Sequence, residues 1–272
     1  MDVGPLTPPS PPRGEGKHDP HRGEGEQDPR PRRGRGQGEG EEKARYVQEM
    51  FTRIARRYDL MNALMTGGRD QAWRRQAARL ARPEGRGLAL DVATGTGDLA
   101  RALLDETPVR GVVGADFSEA MLALGRAKAR RSGLEDRLHF VTADALALPF
   151  PDATFACVTS AFLLRNLADL DQGLREMARV TRLGGRVVAL ETSRSTLPGF
   201  RSLFAFYFNR LVPVLGGLVS GDREAYRYLP RTAGGFLAPD DLVRVMTEAG
   251  LREVIYRRLA FGTVAIHAGT VK

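Results

Sequence analysis

The chain has very few of the residues that build disulfide frameworks and metal sites. Among its 272 residues there is one cysteine, Cys157, and only two of its four histidines, His139 and His267, follow the first 42 residues. One thiol cannot form an intramolecular disulfide, and these two histidines lack the spacing of zinc ligands. Cys157 lies in the apolar stretch 155–162, so we expect it to be a small buried side chain. We therefore expect no bound metal and a chemistry that needs none.

Long uninterrupted hydrophobic runs are also missing. Arg201, Arg210 and Pro213 interrupt the most apolar segment, 193–238, and no run in it nears the roughly 20 residues of a membrane-spanning helix. Two interpretations fit this segment equally: a lid for an oily substrate with transient membrane contact, or an ordinary packed cap helix. The apolar residues of the predicted lid are Leu203, Phe204, Phe206, Phe208, Leu211, Val212 and Leu215. Because the first hydrophobic residues are scattered among prolines, we expect no signal peptide. We expect a cytoplasmic protein that can reach the inner face of the membrane.

The first 42 residues contain almost no hydrophobic side chains. They hold 8 of the 16 prolines and 9 of the 31 glycines, with Met1, Val3 and Leu6 as the only hydrophobic residues. Such a segment cannot bury enough apolar surface to offset its ordering entropy, so we expect a disordered tail at 1–42. Its 7 Lys/Arg and 9 Asp/Glu give it a charge of −2, so the net charge of +8 leaves +10 on residues 43–272. This basic excess can attract lipid or nucleic acid, but solvated helix faces are the favoured interpretation.

The most informative stretch is LALDVATGTGDLA, residues 88–100. An apolar run leads to Asp91, and Gly95 and Gly97 follow it. The pattern predicts a buried strand, a tight turn and a helix start, the ligand-binding unit of a doubly wound α/β sheet. Glycine permits the backbone dihedrals of such a turn and lets a ligand approach the main chain. The turn therefore indicates a bound ligand.

Two ligands compete for this turn. Gly95, Gly97 and Ala100 satisfy the G-x-G-x-x-A form of the dinucleotide pattern. A dinucleotide, however, brings a pyrophosphate to the helix N-terminus, where the carboxylate of Asp91 would repel it. S-adenosylmethionine carries a sulfonium and an ammonium that Asp91 can face, and a carboxylate that N–H groups near Gly97 can bind. The pattern therefore favours S-adenosylmethionine as the cofactor.

Two further acidic residues follow the next apolar runs. The run 109–115 is predicted as a strand and leads to Asp116, about twenty residues after the glycines, where a carboxylate can bind ribose hydroxyls. The run 138–141 is predicted as the next strand and leads to Asp144 and Ala145, where a carboxylate can accept a hydrogen bond from an adenine amino group. Each acid also fits a helix N-cap or a turn. Three successive strands that lead to Asp suggest one site.

The rest of the body alternates between helices and strands. Helices are predicted at 42–57, 70–80, 98–105, 118–132, 169–181 and 239–249. Seven strands are predicted: the first begins at Leu88, and the others are 109–115, 138–141, 155–160, 186–191, 252–259 and 263–268. We expect Ser118 to cap a helix, and Gly184 and Gly185 to separate a helix from a strand. Only three residues separate the last two strands, so these must be antiparallel. The fold class is therefore α/β, with a Rossmann-like, mostly parallel sheet that ends in a hairpin, as in class I methyltransferases.

Several motifs outside the glycine turn resemble one family. The segment 58–62, YDLMN, with the later Trp73, is similar to the N-terminal signature of the ubiquinone/menaquinone biosynthesis C-methyltransferases. The second family signature is similar to 179–193, and the motifs at 165–167, 226–229 and 265–269 also match. The resemblance runs from about Tyr46 to the C-terminus. It implies a methyltransferase domain at 43–272, with 193–238 as its lid.

The resemblance implies a reaction and its donor contacts. It implies methyl transfer from S-adenosylmethionine to a ring carbon of a prenylated quinol, most plausibly demethylmenaquinol, with a benzoquinol as the alternative acceptor. It assigns donor contacts to Thr96, Asp116, Asp144 and Ala145. A class I methyltransferase that acts on nucleic acid is a further alternative, although the acidic tail and the lack of an aromatic-interleaved basic stripe argue against nucleic acid. The last alternative is a non-catalytic adaptor protein whose tail binds partners.

The chemistry indicates three catalytic candidates. A quinol hydroxyl has a phenol-like pKa of about 10, and the developing phenolate makes the adjacent carbon nucleophilic. Arg165 can stabilise that negative charge, and Asn166 can orient the ring oxygen. Arginine is a poor base, so water, Tyr58 or His267 must relay the proton. A packing role is favoured for His267.

Overall fold

The computed structural model describes residues 37–193, 195, 197, 206–220, 222, 225, 226, 228, 232 and 236–272. The predicted tail up to residue 36 lies outside the described residues, as do Leu203 and Phe204 of the predicted lid. The first helix begins at Gln37, five residues before the predicted helix start at residue 42.

One mixed sheet forms the centre of the described chain. Its strands are β1 Leu88–Val92, β2 Gly111–Asp116, β3 Leu138–Thr142, β4 Phe155–Ala161, β5 Thr181–Thr192, β6 Leu251–Leu259 and β7 Val264–Val271. Their order across the sheet is β3-β2-β1-β4-β5-β7-β6. The neighbours from β3 to β5 are parallel, whereas β7 is antiparallel to both β5 and β6. The predicted seven-stranded sheet with a terminal hairpin is confirmed.

Helices cover both faces of the sheet and one of its edges. The helices are α1 Gln37–Thr66, α2 Asp70–Ala81, α3 Asp98–Glu106, α4 Glu119–Arg131, α5 Leu170–Val180, α6 Val212–Ser220 and α7 Pro239–Glu248. Side chains of α2 and α3, among them Trp73 and Leu103, share one core cluster with the sheet. Side chains of α5 and α7, among them Leu174 and Met246, share the other. None of the helices in the described ranges is long and apolar enough to cross a membrane.

Three local predictions differ from the structure. Helix α1 runs to Thr66, so the YDLMN segment lies inside the helix and not after it. Ser118 occupies the predicted N-cap position of α4, but its side chain makes no capping bond, and its hydroxyl lies 3.3 Å from that of Thr52 on α1. Strand β5 begins directly after α5, so Gly184 and Gly185 form an irregularity within the strand and do not precede it.

Helix α1 lies across the carboxyl ends of the parallel strands. Lys43 Nζ donates to the carbonyl of Leu167 at 2.9 Å, beyond β4, and Gln48 Nε2 donates to the carbonyl of Phe117 at 2.8 Å, beyond β2. Its apolar face packs against α6, and the shared cluster includes Met50, Met61, Val212 and Tyr226. Helix α1 therefore covers the carboxyl edge of the sheet, where the acidic residues of the sequence motifs lie.

The core predicts a clear difference between two leucines. Leu174 on α5 is fully buried, whereas Leu183 is 76% exposed. Leu174→Ala should lower the free energy of unfolding by about 2–5 kcal/mol, because it leaves a cavity. Leu183→Ala should change it by less than about 0.5 kcal/mol, as is usual for surface substitutions. Chemical denaturation of both variants measures the two values, and equal losses would contradict this arrangement.

Candidate active site

The glycine turn after β1 is held by acceptors of the protein itself. Gly95 and Gly97 have φ values of +57° and +87°, as the tight turn requires. The N–H of Gly95 donates to Asp116 Oδ2 at 2.8 Å, and that of Gly97 donates to the carbonyl of Thr94 at 2.9 Å. The N–H of Thr94 donates to the carbonyl of Ala115 at 3.0 Å. The turn is therefore fixed to the end of β2, and three of its N–H groups are already paired.

Asp91, near the end of β1, is a buried carboxylate. Its two oxygens accept hydrogen bonds from the hydroxyls of Thr94 and Thr159, at 2.7 and 2.8 Å. Burial raises the pKa of Asp91 to about 6, although these hydrogen bonds and the charge of Arg74 oppose the shift. The carboxylate is thus held in place but poorly compensated, as suits a group that meets a cation.

The next two predicted acids differ from each other in burial. Asp116 is buried; it binds the N–H of Gly95 through one oxygen and that of Ser118 through the other, at 2.9 Å. Burial raises its pKa. Asp144 is exposed just after β3, where one oxygen accepts from the N–H of Leu146 at 2.9 Å. Ala145, beside it, is half-buried against the core.

A polar network fastens α1 to the glycine turn. Thr96 Oγ1 donates to Asp59 Oδ1 at 2.7 Å, and Lys128 Nζ of α4 donates to Asp59 Oδ2 at 2.9 Å. Lys128 also lies 2.5 Å from Asp98 Oδ1, whose other oxygen accepts from Gln71 at 3.1 Å. The hydroxyl of Thr96 is therefore part of the α1 attachment.

Arg165 forms a buried ion pair that the sequence motifs did not reveal. It lies in the short 3₁₀ helix Leu164–Asn166 after β4, and its Nη1 is 2.5 Å from Glu191 Oε1 at the end of β5. Both side chains are buried, and Arg165 Nε has no hydrogen-bond partner in the described part of the chain. The charged residue Glu191 directly after the apolar run 187–190 was the available signal for this pair.

Asn166 is hydrogen-bonded to a tyrosine of the segment 193–238. Its Nδ2 donates to the carbonyl of Phe162 at 3.1 Å, and its Oδ1 accepts from the hydroxyl of Tyr228 at 3.2 Å. Burial raises the pKa of Tyr228, while the charge of Arg165 opposes this. Tyr58, the predicted catalytic tyrosine, instead packs edge-on against Phe51 within α1, with ring centroids 5.7 Å apart. The tyrosine that donates a hydrogen bond to Asn166 is therefore Tyr228, and not the predicted Tyr58.

Two arginines lie near the ring of Phe162. The guanidinium carbon of Arg165 is 5.4 Å from its ring centroid, and that of Arg74 is 5.8 Å away. Its φ of +60° is unusual for a bulky residue, and backbone strain of this kind clusters at functional sites. The ring therefore links a guanidinium of α2 to one of the 3₁₀ helix after β4. We call the residues around Asp91 the donor half of the cleft, and those around Arg165 the acceptor half.

His267 lies outside this cleft. Its Nε2 is 3.1 Å from the carbonyl of Pro239, at the start of α7, and its ring packs on Tyr256. Burial lowers the pKa of His267 to about 4, so the imidazole is neutral at pH 7. The side chain is a packed, hydrogen-bonded group, as the favoured interpretation held. In the described ranges, no group of three or more His, Cys, Asp or Glu residues is arranged to hold a metal ion.

Solved structures share this architecture. A SAM-dependent methyltransferase of Thermotoga maritima, described as a possible histamine N-methyltransferase, superposes with a TM-score of 0.58 at 17% identity and covers 83% of this chain and 99% of its own. A phosphoethanolamine N-methyltransferase of Haemonchus contortus, solved with S-adenosyl-L-methionine, gives 0.51 at 14% identity and covers 71% of this chain and 50% of its own. These identities show a shared fold and nothing further.

Curated relatives are much more similar in sequence. The demethylmenaquinone methyltransferase of Thermus thermophilus is 50% identical over 220 residues, which span 81% of this chain and 99% of that protein. The ubiquinone/menaquinone biosynthesis C-methyltransferase UbiE of Geobacter sulfurreducens is 43% identical over 229 residues, 84% of this chain and 89% of that protein. The model of the ubiE/COQ5 methyltransferase family matches residues 39–271. The chain therefore belongs to the ubiE/COQ5 methyltransferase family.

Proposed function

We propose that this S-adenosylmethionine-dependent C-methyltransferase methylates a ring carbon of a prenylated quinol, converting demethylmenaquinol to menaquinol. The names of the Thermus thermophilus relative and of two others at 44–45% identity support this acceptor. The name of the Geobacter sulfurreducens relative covers both quinone classes, so a benzoquinol is the alternative. The observation that carries the proposal is the acid-rich donor half of the cleft beside a buried arginine with an unmade hydrogen bond.

The donor half fits S-adenosylmethionine by charge and by shape. Among the described residues, the carboxylates of Asp70, Asp91 and Asp116 are buried; Arg74 pairs with Asp70 at 3.7 Å, and at Asp91 its charge opposes that of Asp116. This excess of negative charge suits a ligand whose net charge is positive, and it would repel a pyrophosphate. A Cβ at Gly95 would have no atom within 4 Å, so there is room for a ligand over the turn. Thr96, Gly97, Asp144 and Ala145 complete the proposed donor contacts.

The acceptor half supplies the electrostatics of the reaction. When bound, S-adenosylmethionine supplies an already activated methyl group, so the protein has to align the two substrates and raise the electron density of the acceptor carbon. The unpaired Nε of Arg165 is a buried donor that the phenolate oxygen of a quinol would satisfy. Glu191 holds the guanidinium in place from the side of the sheet.

The neighbours of Arg165 take positioning roles in this proposal. Both polar atoms of the Asn166 amide have protein partners, so it holds Tyr228 and the 3₁₀ turn in place. Tyr58 stays a candidate for proton relay by water, from its place on α1. His267 is buried beneath α7 against Pro239, which leaves it without access to the acceptor.

The surface around α1 and α6 suits an acceptor that arrives from a bilayer. Leu60 and Leu64 on α1, and Phe206, Leu211 and Val214 near α6, are 45–60% exposed. Side chains of this kind can enter the boundary between headgroups and acyl chains. We therefore propose that the protein works in the cytoplasm and touches the inner face of the membrane while it takes up the quinol.

The first prediction concerns the acceptor. Purified protein with S-adenosylmethionine should methylate reduced demethylmenaquinone faster than a reduced demethylated benzoquinone of the same prenyl length. Product mass spectrometry with both acceptors supplied together measures the ratio. Preferential methylation of the benzoquinol would assign the alternative acceptor, and no product from either would contradict the proposed function.

The second prediction separates catalysis from donor binding. Arg165→Gln should lower kcat by about 10²–10³, the usual cost of losing one donor to a developing oxyanion. The dissociation constant for S-adenosylhomocysteine should change by less than about threefold, since Arg165 lies in the acceptor half. Arg175→Gln, an exposed arginine on α5, is the matched control and should behave as wild type. A folded Arg165→Gln variant with full turnover would refute this role.

The third prediction follows from the raised pKa of Asp91. Below a pH of about 6 the carboxyl becomes neutral and loses its attraction for the donor ammonium, so donor affinity should fall by up to about tenfold per pH unit. Calorimetric titration with S-adenosylhomocysteine from pH 8 to pH 5 measures this. Asp91→Asn should bind weakly at every pH and lose the dependence. If wild-type affinity stays constant across this range, Asp91 does not contact the ammonium.

A further inference from the structure

Arg74 is a buried cation that the proposed reaction does not yet use. It lies in the second turn of α2, and its side chain is only 7% exposed. Its one ion-pair partner in the described residues is Asp70, whose Oδ2 is 3.7 Å from Arg74 Nε, too far for a hydrogen bond. Nε has no hydrogen-bond partner within the described chain. A buried guanidinium with an unmade donor is costly to maintain, which indicates that a ligand completes it.

The carboxylate of Asp70 has other partners besides Arg74. Asp70 Oδ1 accepts from the hydroxyl of Thr66 at 3.1 Å, and Oδ2 lies 3.4 Å from Gln71 Nε2. Because these donors share the carboxylate, it holds the arginine near the site but does not saturate it. The guanidinium keeps hydrogen-bonding capacity for an anion.

The position of Arg74 places it in the donor half of the cleft. Its guanidinium carbon is 5.8 Å from the ring of Phe162, which directly follows β4 at the carboxyl edge of the sheet. Burial raises the pKa of Asp91 and the charge of Arg74 opposes this rise; at Asp98 burial acts in the same direction, but Lys128 and Arg74 together bring its pKa below the ordinary value. The charge of Arg74 therefore acts on carboxylates on either side of the glycine turn.

Three N–H groups of the glycine turn are already paired when the donor carboxylate arrives. The amino-acid end of the donor carries an ammonium and a carboxylate. The sequence predicts that N–H groups near Gly97 bind the carboxylate, but the N–H groups of Thr94, Gly95 and Gly97 already donate to protein acceptors. The buried guanidinium of Arg74, whose charge acts on Asp91, supplies a further receptor, because a guanidinium can bind a carboxylate through two parallel hydrogen bonds.

We propose that Arg74 binds the carboxylate of the amino-acid end of S-adenosylmethionine, while Asp91 faces the ammonium. The proposal rests on the proposed function, because it requires this donor. Together the two residues bind both charged groups of the amino-acid end, and this fixes the direction in which the sulfonium points. The ring centroid of Phe162 lies 5.8 Å from the guanidinium carbon of Arg74 and 5.4 Å from that of Arg165, so the donor carboxylate and the acceptor oxygen bind to different arginines beside one aromatic ring.

The test compares two ligands that differ only in the carboxylate. S-adenosylhomocysteine has both charged groups, whereas S-adenosyl-3-thiopropylamine keeps the ammonium and lacks the carboxylate. Calorimetry on the full chain should show that Arg74→Gln weakens S-adenosylhomocysteine by about 10- to 100-fold, the range of a hydrogen bond to a charged group. Affinity for the amine should change less than threefold. Arg75→Gln, the exposed neighbour on α2, is the matched control and should bind both ligands as wild type.

Each other outcome has a defined meaning. If a folded Arg74→Gln variant loses both ligands equally, or neither, Arg74 does not bind the carboxylate and the proposal is overturned. If wild type binds no S-adenosylhomocysteine, the donor and hence the proposed function fail instead. If Arg74→Gln does not fold by thermal melting, Arg74→Lys replaces it: wild type should prefer S-adenosylhomocysteine over the amine at least tenfold, and the lysine variant should reduce this preference. An unreduced preference overturns the proposal.

Discussion

The buried carboxylate of Asp91 is the constraint on which the cleft depends. Its burial raises its pKa to about 6, and only Thr94, Thr159 and the charge of Arg74 oppose that cost. A fold optimised for stability alone would place a neutral side chain there. The neighbouring glycine turn, the second buried acid Asp116 and the partly satisfied Arg74 all become understandable once a zwitterionic cation occupies the space between them.

Helix α1 covers the carboxyl edge of the sheet. It contacts the turn after β4 through Lys43, the turn after β2 through Gln48, and the glycine turn through Asp59. These contacts are polar, whereas the apolar face of α1 packs on α6. The helix therefore joins the sheet edge that carries the acidic residues to α6.

Much of the fold and half of the site follow from local patterns. The seven-stranded, mostly parallel sheet, the terminal hairpin and the positive φ values at Gly95 and Gly97 agree with the sequence predictions. The predictions failed where contacts distant in sequence decide the outcome. Ser118 bonds Thr52 from α1 and not its own helix, and Asn166 bonds the hydroxyl of Tyr228, 62 residues away.

The sequence by itself determined which strands form and that acids lie at their carboxyl ends, because alternation of apolar runs and turns is a local property. It also determined the family, because each of the family motifs is a short continuous stretch of the chain. Only the tertiary structure decided that Glu191 pairs with Arg165, and that the charge of Arg74 acts on Asp91. These pairs join residues 26 and 17 positions apart on different elements, and sequence spacing carries no information on which charges meet in a buried cleft.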